Sequence, residues 1–283
     1  MFHLYMPIIV NADDLGYSET RDAGIFEAFA NGAVSAASLL VNGPTAATAA
    51  NKAIEVGLYL GLHLNLSEGE SLSGPSSITN PENVMYYKHE FWELVVGNID
   101  TVSNDIRKET VAQIERFKEL TGAYPTHVDG HQHVHVYPHM PDILAPIFHA
   151  YGVLSVRIPD EDVSSYDWLS RARKDRYDMR FPWSLRARLV YRKHGIRAPD
   201  CFVGLGLAGH DMDMDRLLTI MAGTFGTVEW MVHPGHSDTS IVRDIFDDLF
   251  HRESARVYEL EQLKKICHHL ELSDWSCYDI FRE

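Results

Sequence analysis

Short apolar segments alternate with helical stretches along almost the whole chain, and this rhythm constrains the fold more than any single residue does. PIIVNA (7–12), AASLLVNG (36–43), LYLGLHLNL (58–66), THVDGH (126–131), VLSVRIP (153–159), CFVGLGL (201–207) and TVEWMVHPG (227–235) read as strands. Each is too short for a helix and is rich in β-branched or apolar residues. Between them lie helical stretches, the first beginning near Ser18, whose hydroxyl can cap it, with Ile25, Phe26 and Phe29 on one face. Further helices are expected at roughly 102–120, after Pro141 and over about 253–270, with a last strand near 275–280. Such βα alternation predicts a parallel sheet with helices outside it. The length, 283 residues with 45% hydrophobic content, suits one barrel or two small domains. No repeat or linker marks a boundary, so the reading is one domain, 1–283, with insertions near 67–100 and 160–200.

The polar residues fall at matching places on these strands. Asp13 and Asp14 end the first, His63 lies in the C-terminal half of the third, and Arg157 and His233 occupy the same relative position on the fifth and seventh. In a closed βα barrel all strand C-termini open onto one rim, so residues distant in sequence converge there. Out of the fourth strand runs THVDGHQHVHVYPH, with His127, His131, His133, His135 and His139 around Asp129. A helix would bring 127, 131 and 135 together, but Gly130, the valines and Pro138 favour an extended strand with these groups on one face. Alternate side chains on a strand stand about 6–7 Å apart, too far for three of them to reach one metal through bonds of about 2.1 Å. One or two can ligate, and other strands must supply the rest.

Each feature also has a plainer reading. Paired aspartates are commonly a solvated turn, His63 alone reads as a core histidine, and His233 before Pro234 can cap a strand, with His236 serving equally well. The histidine run resists this treatment, because buried imidazoles need partners that a metal supplies better than apolar neighbours. One Asp with two His makes an open metal site. A second carboxylate that takes a proton from water and a histidine that protonates a leaving group complete a metal-assisted hydrolase of an amide or ester.

Composition narrows the partners. The formal net charge is −15, from 25 basic and 40 acidic residues, which argues against general nucleic-acid binding and against docking on anionic lipid. Cys201, Cys267 and Cys277 form no CxxC pair and indicate neither a disulfide framework nor a cysteine zinc site. MFHLYMPIIV is interrupted by Pro7 and lacks signal-peptide layout, and no apolar run reaches spanning length, so a cytoplasmic location is expected. Against the acidic background, 171–197 holds ten Lys or Arg. It reads as a solvated helical insertion with Trp183, Leu185 and Leu189 turned to the core, or else as a basic lid for an anionic substrate. Trp168 and Trp183 are candidates for sugar stacking or for plain core packing.

NADDLGYS, SLLVNG, GLHLNLSEG, THVDGHQHVHVYP, VRIP and HPGH, taken together over 8 to about 240, resemble the YdjC/ChbG carbohydrate deacetylases, especially their eukaryotic YdjC-like branch. The resemblance implies an irregular (β/α) barrel of the glycoside hydrolase/deacetylase type and removal of acetyl groups from N-acetylated sugars or glycoconjugates, with a homodimer as one assembly. It implies Asp14, His63 and His131 as ligands of one divalent cation, Asp13 as general base and His233 as general acid, with His236 as the alternative acid. Arg157 would orient Asp13 or steer substrate, Asp129 and His127 would stand behind the ligands, and His133 and His135 would line the pocket or ligate as a last resort. Magnesium is the cation the resemblance implies, whereas imidazole-rich ligation favours zinc or another transition metal. Two rivals remain: a non-catalytic module that keeps the fold and holds metal, and a metal-dependent phosphoesterase, which needs a second metal site.

Overall fold

The strand β1 (Ile8–Leu15) is buried along its full length and is flanked by β2 (Ala36–Leu39) and β7 (Val228–Val232), which makes it the centre of the sheet. The computed structural model describes residues 7–178, 180–237 and 253–277. Outward from β2 follow β3 (Tyr59–Leu64), β4 (His127–Gly130) and β5 (Ser155–Val156), and beyond β7 lies β6 (Cys201–Val203). The order is β5-β4-β3-β2-β1-β7-β6, every pairing is parallel, and the short β8 (Leu272–Ser273) pairs with β1. The expected last strand therefore lies before Trp275, and 278–280 fall outside the described residues. The helices are α1 (Glu19–Ala30), α2 (Ala46–Val56), α3 (Lys88–Thr121), α4 (Met140–Ala150), α5 (Arg171–Asp178), α6 (Phe181–Lys193), α7 (Met214–Met221) and α8 (Glu253–Ile266).

Side-chain contacts show how strongly the sheet curls. Arg157, immediately after β5, donates to Glu229 on β7 at 2.6 Å, although four other strands lie between these two in the sheet. Only a sheet curled into a half-barrel brings them together. A large apolar cluster, including Val10, Leu62, Val128, Leu144 and Val232, fills the space among the strands and helices.

Two local departures from regular strand geometry shape the rim. Adjacent residues on a strand point to opposite faces, yet Asp13 and Asp14 both face the same recess. The register of β1 against β2 shifts between Ala12 and Leu15, and Asp14 takes a left-handed φ of 67°, so an irregularity re-aims the second aspartate. The other departure corrects the strand reading of the histidine run: β4 ends at Gly130 and 131–136 wind into a 3-10 turn, with Gln132 and His133 left-handed. A Cβ on Gly130 would stand 2.4 Å from His135 Nδ1, so glycine lets this turn fold back on the strand end.

The excursion after β3 is anchored rather than loose. Buried Glu109 of α3 accepts from the backbone N–H groups of Leu72 (3.1 Å) and Ser73 (2.8 Å) and from Ser71 Oγ (2.6 Å). In α6 the face turned inward is Ser184, Ala187 and Tyr191, while Leu185 and Leu189 are exposed, which reverses the expected orientation of those leucines. The spacing 184, 187, 191 is itself a helical stripe, and small Ser184 and Ala187 allow close approach.

Candidate active site

At the C-terminal ends of β1 and β3 and the turn after β4, Asp14, His63 and His131 direct one atom each at a common point. Asp14 Oδ1 is 3.4 Å from His63 Nε2 and 3.1 Å from His131 Nδ1, and the two ring nitrogens are 3.3 Å apart. Three donors about 2.1 Å from one cation, at angles between octahedral and tetrahedral, are separated by about 3.0–3.4 Å. The triangle therefore has the dimensions of a three-ligand metal site, and all three residues are buried.

Each histidine is backed by a carboxylate on its other nitrogen. His63 Nδ1 donates to Asp129 Oδ1 at 2.6 Å, and His131 Nε2 donates to Glu68 Oε2 at 2.9 Å. Asp14 Oδ2 accepts from Arg256 of α8 at 2.6 Å. Burial works to raise Asp14, but Arg256 and the two rings outweigh it and hold the carboxyl well below its usual range. Burial likewise works to lower His63, yet the Asp129 and Asp13 carboxylates push it up to about 10. His131 is raised against burial by its hydrogen bonds to Asp14 and Glu68. A pocket that favours two protonated imidazoles favours positive charge, which is what a divalent cation brings.

Asp13 stands beside this triangle, gripped by Arg157 through two hydrogen bonds of 2.5 and 2.6 Å. Arg157 is wholly buried and also pairs with Asp129 at 2.9 Å and Glu229 at 2.6 Å. Its guanidinium thus joins three carboxylates from three strands. His233, just past β7, puts Nε2 3.8 Å from Asp13 Oδ2 and lines the same recess. Its backbone N–H donates to buried Glu259 at 2.6 Å. His236 instead pairs with Glu27 of α1 at 3.0 Å and is not among the residues lining the recess.

Of the remaining imidazoles of the run, His127, His133 and His135 are buried without joining the triangle. His127 stacks on Trp275 with ring centres 3.6 Å apart, and a Cβ on Gly61 would stand 2.1 Å from its Nδ1, so this glycine makes room for the ring. Burial lowers His127 to about 3 and His135 to about 4, so both are neutral near pH 7. His135 contacts the Arg157 carbonyl at 2.8 Å. His133, held well below its usual range by burial and then by Arg157, lines the recess. His139 is exposed at the start of α4. Of the run, His131 alone joins the Asp14–His63 triangle, while stacking, a backbone carbonyl and neutrality accommodate His127, His135 and His133.

The recess encloses about 560 Å³, a figure that includes open solvent. Lys88, Arg176, Tyr177 and Arg180 form its outer wall. Neither tryptophan that was a stacking candidate lines it: Trp168 stacks on Tyr166 at 4.7 Å and Trp183 on Trp92 at 4.5 Å. Sequence reasoning missed Glu68, Glu229, Arg256 and Glu259. A carboxylate inside apolar VEWMV signals Glu229, and Glu68 follows GLHLNLS closely enough to be suspected, whereas Arg256 and Glu259 sit in an ordinary charged helix.

The family model described as "YdjC-like protein" matches residues 7–266. A carbohydrate deacetylase of Mus musculus is 41% identical over 244 residues, which cover 81% of this chain and 78% of that protein. A chitooligosaccharide deacetylase of Salmonella heidelberg is 35% identical over 162 residues, or 56% of this chain and 62% of that one. Among solved structures, one described as a cellobiose-phosphate cleavage protein of Enterococcus faecalis V583 matches with a TM-score of 0.69 and 21% identity, covering 97% of this chain and 98% of that one. This last likeness concerns the fold alone.

Proposed function

Because the chain belongs to the YdjC-like family, we propose that it is a metal-dependent hydrolase that removes the acetyl group from an N-acetylated carbohydrate, giving acetate and a free amino sugar. One observation carries this reading: a three-donor triangle of metal-site dimensions opens onto the same recess as Asp13 and His233. Asp14, His63 and His131 would hold the cation, which supplies a Lewis acid for the acetamide carbonyl and acidifies water. One carboxylate with two imidazoles favours zinc or another transition metal over magnesium, which prefers oxygen donors and keeps its waters.

In this reading Asp13 accepts the proton of the attacking water. Arg157 fixes its aim through the paired hydrogen bonds. His233, with Nε2 3.8 Å from Asp13 Oδ2, donates a proton to the departing amine. Arg157 also bears on the phosphoesterase rival. Asp13, Asp129 and Glu229, the carboxylates a second metal would need, all pair with this one guanidinium, so its charge already occupies their centre.

The outer wall favours a saccharide that carries an anionic group. In the basic segment, Arg171, Arg173, Arg186 and Arg188 pair with Asp175, Asp211, Asp142 and Asp160. The guanidinium groups of Arg176 and Arg180, which line the recess beside Lys88, have no carboxylate partner among the described residues.

Acetate release from N-acetylated saccharides, with zinc and with magnesium, tests the main reading. Wild type should release acetate, and Asp13→Asn should lose about 10²–10⁴-fold in kcat, the usual worth of a general base. If wild type binds metal but releases no acetate from any acetamido sugar, the non-catalytic module takes precedence.

A further inference from the structure

The two histidines of the triangle face it through different nitrogens. His63 offers Nε2 and gives Nδ1 to Asp129, whereas His131 offers Nδ1 and gives Nε2 to Glu68. Asp129 lies on a strand and is fully buried, so the backing of His63 is built into the sheet. His131 begins a 3-10 turn in which Gln132 and His133 are left-handed, so its ring is carried by a turn and not by a strand. Inside the triangle the ring meets Asp14 and His63 through Nδ1, and on its other side Nε2 meets Glu68.

We propose that Glu68 is the positioning residue of the metal site, holding His131 with its proton on Nε2 so that Nδ1 presents its lone pair beside Asp14 and His63. This rests on the metal-dependent reading above and adds a residue to it. The carboxylate is itself held at both ends. Oε2 accepts from His131 at 2.9 Å and Oε1 accepts from Tyr17 Oη at 2.6 Å. Its backbone carbonyl accepts from Asn65 Nδ2 at 2.8 Å and Asn42 Nδ2 at 3.2 Å. Residues from the ends of three strands thus aim one side chain at one ring nitrogen. An imidazole can ligate through Nδ1 only if the remaining ring proton resides on Nε2, and an anionic acceptor at Nε2 fixes that tautomer and makes Nδ1 more basic. Glu68 touches neither the triangle's centre nor the Asp13–His233 pair, so its effect is exerted through His131.

The test is metal binding, read without turnover. Metal-free wild type, Glu68→Gln, Glu68→Ala and, as a control on the same loop, Glu70→Ala are titrated with Zn²⁺ by calorimetry and with Co²⁺ by visible absorption. Glu68→Ala should bind both ions about 10–100-fold more weakly, as loss of a partner behind a ligating histidine does, and should shift the Co²⁺ spectrum. Glu68→Gln keeps an acceptor for Nε2–H and should recover most of the affinity, while Glu70→Ala should match wild type. Thermal unfolding of the metal-free proteins should agree, which separates positioning from a folding defect. If wild type binds Co²⁺ and both Glu68 variants bind it equally well with the same spectrum, Glu68 has no positioning role although the metal reading stands. If wild type binds neither ion, the metal-dependent reading fails and this assignment fails with it.

Discussion

Within the histidine run, the same side chain has several fates set by a few ångströms. His131 meets Asp14 and His63, whereas His127 lies flat on Trp275 with neither nitrogen hydrogen-bonded among the described residues. His127→Phe should therefore leave Zn²⁺ affinity within about twofold, while the larger ring, pressed against the Gly61 backbone, costs about 1–3 kcal/mol as overpacking does. His131→Phe should abolish calorimetric Zn²⁺ binding. A loss of binding by His127→Phe equal to that of His131→Phe would contradict the assignment. Asp13, Asp14, His63, His131, Arg157 and His233 were legible as rim residues because each follows from where a strand ends. How adjacent Asp13 and Asp14 both turn to one recess was not, because it depends on a register shift and a left-handed residue inside β1. Glu68 was missed because loop closure, and no local pattern, brings it to His131.

At the scale of elements, the segment between β3 and α3 shows what sequence pattern conveys and what it omits. Its Ser, Gly, Pro and Asn content marks it as a departure from the scaffold, but its attachment rests on Glu109, which reads as one more polar residue of a long helix. Glu109→Ala would leave the N–H groups of Leu72 and Ser73 and the hydroxyl of Ser71 without this acceptor. Buried donors left unsatisfied cost about 1–3 kcal/mol each, so urea unfolding should show a loss of at least that size. Amide hydrogen exchange should accelerate across 71–79 in Glu109→Ala, and equal protection in both proteins would mean that the segment is held elsewhere. The inward face of α6 departs from expectation for a related reason: Leu185 and Leu189 are apolar enough to suggest a core stripe, but small Ser184 and Ala187 are the residues buried instead.

At the scale of the whole molecule, the βα rhythm conveyed the parallel sheet, while its curl became visible only through Arg157, which joins β5 to β1 and β7 across the interior. The loops after β6 and β7 that close this side are tied by two buried carboxylates. Glu161 accepts from the N–H groups of Gly204 and Leu205 at 2.9 and 2.6 Å, and Glu259 from those of Gly209 and His233, both at 2.6 Å. Burial pushes each up to about 7, since the backbone donors only partly offset lost hydration. The sign of the pH effect follows. Between the ordinary glutamate value of 4.5 and about 7, the folded protein holds protons that the unfolded chain has released, so these groups stabilise the fold less as pH rises through that interval. Above about 8 their contribution is constant, because both states are ionised. Glu161→Gln keeps an oxygen for the backbone donors but cannot ionise. Its melting temperature relative to wild type should therefore climb between pH 5 and pH 8, with most of the change between pH 5 and 7. A difference that stays flat over that range would show that Glu161 is ionised in the folded protein throughout, with the three backbone N–H groups of 204–206 replacing the water it has lost.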